Sequence, residues 1–159
     1  MRGSEVRVLF PAPFHFPKKA QFIFSPKRIF LVHVMQTLFL KIGAFYMLLA
    51  VAIGAFGAHG LKGKISTEML AVYQTGVFYH AIHGLGLLVI GLLLQSMQDS
   101  ALLRWSGWAL TLGVLLFSGS LYVLSITSIR WLGAITPLGG LAFLVGWALL
   151  LAALFKAHG

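Results

Sequence analysis

The chain has 159 residues, 59% hydrophobic and only 9% charged, with 12 basic side chains against three acidic ones and a formal net charge of +9. A soluble domain needs more charge than this to cover its surface, so the composition points to a single integral membrane domain. The absence of cysteine excludes a disulfide framework, a thiolate metal site and CxxC redox chemistry.

The first stretch, MRGSEVRVLFPAPFHFPKKAQFIFSPKRIFLVHV, holds four of the five prolines, Pro11, Pro13, Pro17 and Pro26. Prolines at that density fragment a helix, and no apolar run within the stretch is long enough to span a bilayer. Residues 1–34 are therefore expected to form a poorly ordered extension, with Met35 as the natural start of the chain. The competing reading is a basic, aromatic arm lying on the membrane surface.

From Met35 onward four apolar runs of spanning length follow: Leu38–Ala58, Ala71–Leu94, Trp105–Ile126 and Thr136–Phe155. Such runs predict an all-α membrane protein with four transmembrane helices in a compact bundle. Lys41 lies close enough to the end of the first run to snorkel. That run, with a positive flank before it and Ala55-Phe56-Gly57 near its end as a possible cleavage site, also has the outline of a cleaved signal peptide. It is longer than an ordinary signal core and three further spans follow, so it is read as a span. Ser66 or Thr67 can cap the second helix, with Glu68 favoured in its positive first turn. Asp99 or Ser100 can cap the third, and Thr136-Pro137 suits an N-cap followed by proline at the first helical position.

Six basic residues, Arg2, Arg7, Lys18, Lys19, Lys27 and Arg28, fall within positions 1–34. The others, Lys41, Lys62, Lys64, Arg104, Arg130 and Lys156, stand near the ends of apolar runs, as interface anchors do, and form no phosphate-tracking stripe. No nucleic-acid partner is expected. From Met35 onward the positive charges divide equally between the two sides of the membrane. Only the extension tips the balance toward cytoplasmic termini.

With no water in the bilayer core, polar and small residues should gather on inward faces. At about 100° per residue, Gly43, Ala50, Gly54, Gly57 and Ala58 share a stripe that allows close helix approach. The second helix brings Tyr73, Gly76, Tyr79, His80 and His83 onto one broad face. The third aligns Gly107, Thr111, Ser118, Tyr122 and Ser125; the fourth aligns Thr136, Gly140, Phe143 and Trp147. The candidate polar seam is thus Tyr73, Tyr79, His80, His83, Ser118, Tyr122 and Ser125.

Charging an imidazole at the bilayer centre costs a few kcal/mol, so both histidines are expected neutral. One reading makes the seam packing glue, with His80 and His83 hydrogen-bonding Ser118, Tyr122 or a carbonyl across the bundle. A second makes it a proton-relay or small-solute path. A third makes the histidines ligands of haem or a metal ion, or part of a quinone site. The metal reading needs a ligand from another helix, and His59 sits at the membrane edge. Glu68 and Asp99 are both read as lying in loops, which argues against ion-coupled export of cations. Ser118 and Ser120 flank Gly119, but there is no Gly-x-Ser-x-Gly elbow and no acid placed to orient a histidine, so no enzyme is expected. Neither cofactor nor metal is called for. The expected partners are the lipid bilayer and, through the small-residue stripe or the loops, a second membrane protein or another copy of the chain.

GAFGAHGL at 54–61, QTGVFYHAIH at 74–83, LFSGSLYVLSIT at 116–127 and ITPLGGLAFLVGWALL at 135–150 together resemble the YgdD-like family of small bacterial inner-membrane proteins, a family of unknown function with eukaryotic transmembrane relatives. The positions that carry the resemblance include Gly54, Gly57, His59, Gln74, Tyr79, His83, Ser118, Gly119, Ser120, Tyr122, Thr136, Pro137, Gly139, Gly140 and Trp147. The resemblance implies four membrane helices, cytoplasmic termini and a start near Met35; it implies no activity and assigns no residue a role. The expectation is a non-enzymatic structural or accessory protein of the inner membrane, with a small channel or transporter as the alternative.

Overall fold

The computed structural model describes residues 26–97 and 100–157. Every regular element among them is helical, and four stretches are long and apolar enough to cross a membrane: His33–Leu61, Thr67–Ser96, Ala101–Thr127 and Arg130–Ala157. Hydrocarbon offers the backbone no partners, so a chain this apolar satisfies its own N–H and C=O groups within helices.

The first span is α1 (Pro26–Phe56) ending in a π turn, Gly57–Leu61. It begins well before Leu38, where the apolar run was placed, and passes through Met35 without a break. Pro26 stands at its first position, where proline has no hydrogen bond to lose. Most of the proline-rich stretch, including Pro11, Pro13 and Pro17, lies outside the described residues. Leu40 packs against Gly91 of the second span, which brings Met35 roughly level with Ser96, the end of that span. The first turns of α1 therefore extend past the end of their neighbour.

A short loop with Gly63 at φ 76°, a conformation glycine adopts without strain, leads to α2 (Thr67–Ser96). Of the two candidate caps, Ser66 does the work: its hydroxyl accepts the Met69 N–H at 3.2 Å, and Glu68 sits in the first turn. Ser100 likewise caps α3 (Ala101–Gly113), accepting the Leu103 N–H at 3.4 Å; the other candidate, Asp99, lies outside the described residues. The third span continues through a π turn, Val114–Ser118, into α4 (Gly119–Thr127). It was expected to be one uninterrupted α-helix. Glycines at both borders, Gly113 and Gly119, have no side chain to resist the widened turn. Ser128, in the left-handed conformation at φ 58°, closes α4 with its N–H on the Leu124 carbonyl. A 3-10 turn, Arg130–Ala134, then leads into α5 (Thr136–Ala157).

The second and third spans form the centre of the bundle. The first packs along the second, with a Cβ at Gly43 only 2.9 Å from the Gly84 carbonyl oxygen, so side-chain-free backbones meet there. It also reaches the third, where Phe39 lies against Gly107 and Trp108. The fourth lies along the third and touches the second through Phe143 and Trp147. Phe39, Leu87, Ile90, Leu94, Leu103 and Leu110 form the fully buried middle. Large apolar side chains such as Leu48, Val51, Leu85, Leu115 and Leu144 face outward, where lipid covers them. Trp105 and Trp131, at opposite ends of the bundle, are both exposed, as expected of aromatic rings at the two membrane interfaces.

In the last span the buried stripe is Gly139, Phe143, Gly146, Leu150 and Ala153. The sequence reading centred it on Thr136, Gly140, Phe143 and Trp147, about one residue's rotation away. The difference follows from backbone approach. Gly139 and Gly146 lie against the backbone of the third span at Phe117 and Leu110, whereas Gly140 merely faces the Phe117 ring. Ala58, placed on the first small-residue stripe, is exposed.

Candidate functional site

The residues brought together in the bundle interior form a set of hydrogen bonds between helices. Tyr73 on α2 donates its hydroxyl to the Ile53 carbonyl on α1 at 2.9 Å, and its ring occupies the space left by Gly57. Gly54 gives the same helix pair its contact with Val77, and Ala50 on α1 is buried. Tyr46 on α1 donates to the Thr111 carbonyl on α3 at 3.3 Å. His80 Nδ1 meets the Tyr122 hydroxyl on α4 at 3.1 Å. Tyr122 lies over Gly76 and beside Tyr73, whose ring centroid is 5.1 Å away. The fourth span is joined to the third by Ser106, whose hydroxyl donates to the Gly146 carbonyl at 2.7 Å, and by Ser120 and Thr136, whose hydroxyls are 2.9 Å apart.

His83 is held differently from His80. Its Nδ1 lies 2.6 Å from the Tyr79 carbonyl one turn back on α2, so that nitrogen carries the proton and donates. Its ring lies flat on Phe143 of α5, with centroids 3.4 Å apart and planes 7° from parallel. Trp147 borders the same pair, its ring centroid 6.0 Å from that of His83. The two histidines thus occupy separate settings: His80 between the first and third spans, His83 against the fourth.

Tyr79 is not in the interior with the rest. It is 37% exposed and packs its ring on Phe117 at the edge of the bundle. Ser125 is buried and bonds back to the Tyr122 carbonyl in its own helix at 2.9 Å. Ser118 is 0% exposed, and its hydroxyl oxygen has no hydrogen-bond partner among the described residues. His80 Nε2, in a side chain 4% exposed, shares that condition.

The remaining positions singled out in the sequence lie near the ends of the bundle. His59 is exposed in the terminal π turn of the first span, with Nδ1 3.0 Å from the Ala55 carbonyl. Gln74 is exposed, and Pro137 is exposed in the first turn of α5. Among the described residues no group of three or more His, Asp or Glu side chains is placed to hold a metal ion.

Sequence reasoning missed Tyr46, Ser106 and the packing role of Gly84, Gly86, Gly91, Gly113 and Gly146. Tyr46 could have been found: it lies three residues after Gly43 and four before Ala50, on the same stripe. Ser106 could not, because its value depends on the Gly146 carbonyl across the bundle.

The family model described as "Protein of unknown function (DUF423)" matches residues 53–140. A UPF0382 membrane protein of Staphylococcus haemolyticus is 50% identical over 122 residues, which cover 77% of this chain and 98% of that relative. The UPF0382 membrane protein YwdK of Bacillus subtilis is 50% identical over 118 residues, covering 74% of this chain and 96% of its own. A UPF0382 membrane protein of Staphylococcus epidermidis is 48% identical over 121 residues, covering 76% and 98%. No solved structure matches the chain. The matched segment runs from the end of the first span to the start of the last and takes in the Tyr73, His80, Ser118 and Tyr122 cluster, and the chain accordingly belongs to the DUF423 family of membrane proteins, whose function is unknown.

Proposed function

We propose that the protein is a non-enzymatic structural or accessory component of the bacterial cytoplasmic membrane, and that its polar interior serves to hold the four spans in one arrangement. The observation that carries this reading is where the polar side chains go. Tyr73, Tyr46, His80, Ser106 and Ser120 each reach a group on a neighbouring span, and the ring of His83 is covered by Phe143. A channel would turn such groups toward a continuous aqueous path, and a hydrolase would leave a nucleophile and base facing a cleft. Here they face one another. Interhelical bonds of this kind contribute about 0.6 kcal/mol each on average in a membrane interior, enough in combination to fix register and rotation.

Both termini are placed on the cytoplasmic side. The extension adds six basic residues to that side of an otherwise even distribution.

The test is the full-length chain reconstituted in liposomes. Proton and small-solute flux should match that of protein-free vesicles, and His83→Leu should lower unfolding stability. Flux in the wild type that His83→Leu abolishes while the fold is retained would establish a path instead. The accessory role further requires that the chain retain a second copy or another membrane chain in mild detergent; a strictly monomeric, partner-free species counts against it.

A further inference from the structure

His80 Nε2 and Ser118 Oγ are the buried side-chain polar atoms left without a partner among the described residues. They belong to one level of the bundle. Gly76 faces Tyr122 and Leu121, and Gly86 faces Leu110, so the antiparallel register brings His80, one turn past Gly76, level with the turn that ends at Ser118. The first span agrees. Phe39 meets Gly107 and Tyr46 reaches the Thr111 carbonyl, so Ala50, one turn past Tyr46, arrives at the same depth. Tyr46 sets its ring edge-on against the imidazole, centroids 5.1 Å apart, while Ala50 and Ser118 are the small side chains of this level. Both side chains are buried, at 3% and 0% exposure.

Ser118 also differs from the other hydroxyls of its span. Thr111 bonds back to Gly107, Ser120 to Phe117 and Ser125 to Tyr122, the usual way for such a side chain to satisfy itself in a membrane helix. Ser118 does not, and it is the last residue of the π turn Val114–Ser118. Single π turns within α-helices recur at functional sites. The carbonyls of this turn each keep a second lone pair.

An unpartnered imidazole nitrogen and an unpartnered hydroxyl at one depth in a membrane interior are each costly alone. We propose that they are the two protein ends of a site for one buried, water-sized hydrogen-bonding molecule, and that its occupant is water. The chain of hydrogen bonds then runs Tyr122–His80–water–Ser118. Two side-chain partners with a carbonyl of the π turn as a third match the number a buried water commonly makes. The site is distinct from the His83–Phe143 stack, whose ring nitrogen already has the Tyr79 carbonyl.

The test is nuclear magnetic resonance on the full-length, 15N-histidine-labelled chain in detergent micelles, with the unfolding temperature measured in parallel. A water cross-peak to the His80 ring is expected in the wild type. It should vanish in Ser118→Val, whose methyl groups take the water's place. Ser118→Ala, which removes one end of the bridge, should lower the unfolding temperature. If Ser118→Val fails to fold, the wild-type cross-peak and the Ser118→Ala measurement decide. No water cross-peak in the wild type overturns the proposal. So does a cross-peak that persists in folded Ser118→Val, or an unfolding temperature that is unchanged or raised in Ser118→Ala, the behaviour of a hydroxyl that had no partner to lose.

Discussion

Gly139 and Gly140 are adjacent, yet the bundle treats them in opposite ways, and a pair of alanine substitutions exposes the difference. A Cβ at position 139 would run into the backbone nitrogen of Phe117 and stand 2.8 Å from its Cα and 2.7 Å from its Cβ. Carbon atoms pack at about 3.5–4.0 Å, so the third and fourth spans would have to part locally by roughly 1 Å. The obstacle is main chain, which cannot rotate aside as a side chain can. Overpacking of this kind costs about 1–3 kcal/mol, offset by at most about 1 kcal/mol from the better helix propensity of alanine. A Cβ at position 140 would meet only ring atoms of Phe117 at 3.8 and 3.9 Å, an ordinary contact. Gly139→Ala is therefore expected to lose about 1–2 kcal/mol, and Gly140→Ala to stay within about 0.5 kcal/mol of the wild type or gain slightly. Reversible unfolding in mixed micelles, followed by tryptophan fluorescence as the denaturing detergent is raised, measures both. Equal losses at the two positions, or a fully stable Gly139→Ala, would refute the placement of the last span.

Tyr46→Phe removes the hydroxyl that joins the first and third spans and should cost about 0.6 kcal/mol in the same unfolding assay; a loss above about 2 kcal/mol would mean that the bond does more than hold two helices together. Ser66→Ala removes the cap of α2 and should cost about 1 kcal/mol, with faster amide exchange confined to the first turn, so unchanged exchange at Met69 would contradict the capping geometry. The chain has no natural cysteine, so single cysteines report topology cleanly: in intact cells an impermeant maleimide should label Lys64→Cys and spare Lys156→Cys, and the reverse pattern would invert the proposed orientation. The purified full-length protein should show no visible absorption band and no stoichiometric metal, because no three His, Asp or Glu side chains among the described residues come together and Phe143 covers one face of the His83 ring; a haem band would overturn that reading of the histidines.

The class of molecule and its four spans were legible in the sequence because they rest on properties local to each segment. Apolar length decides what crosses a bilayer, and Ser66 followed by Glu68 marks a helix start wherever the rest of the chain goes. The 100° rule also found the face carrying Tyr73, His80 and His83 and the stripe running from Gly43 to Gly57, since small and polar residues have few other places to go in lipid. Rotation and partnership needed the tertiary structure. Whether Gly139 or Gly140 faces inward depends on how closely the third span's backbone approaches, and no periodicity within α5 contains that distance. The widened turn at Val114–Ser118 left no mark in an apolar run that reads as continuous helix. The sequence placed Tyr79 beside His80 and His83 on one broad face, but the bundle turned Tyr79 toward its rim and divided the two histidines between different neighbours. Tyr122 reaches one of them and Phe143 covers the other, because a side chain's partner is set by which helix packs against it, and that is decided only when all four have assembled.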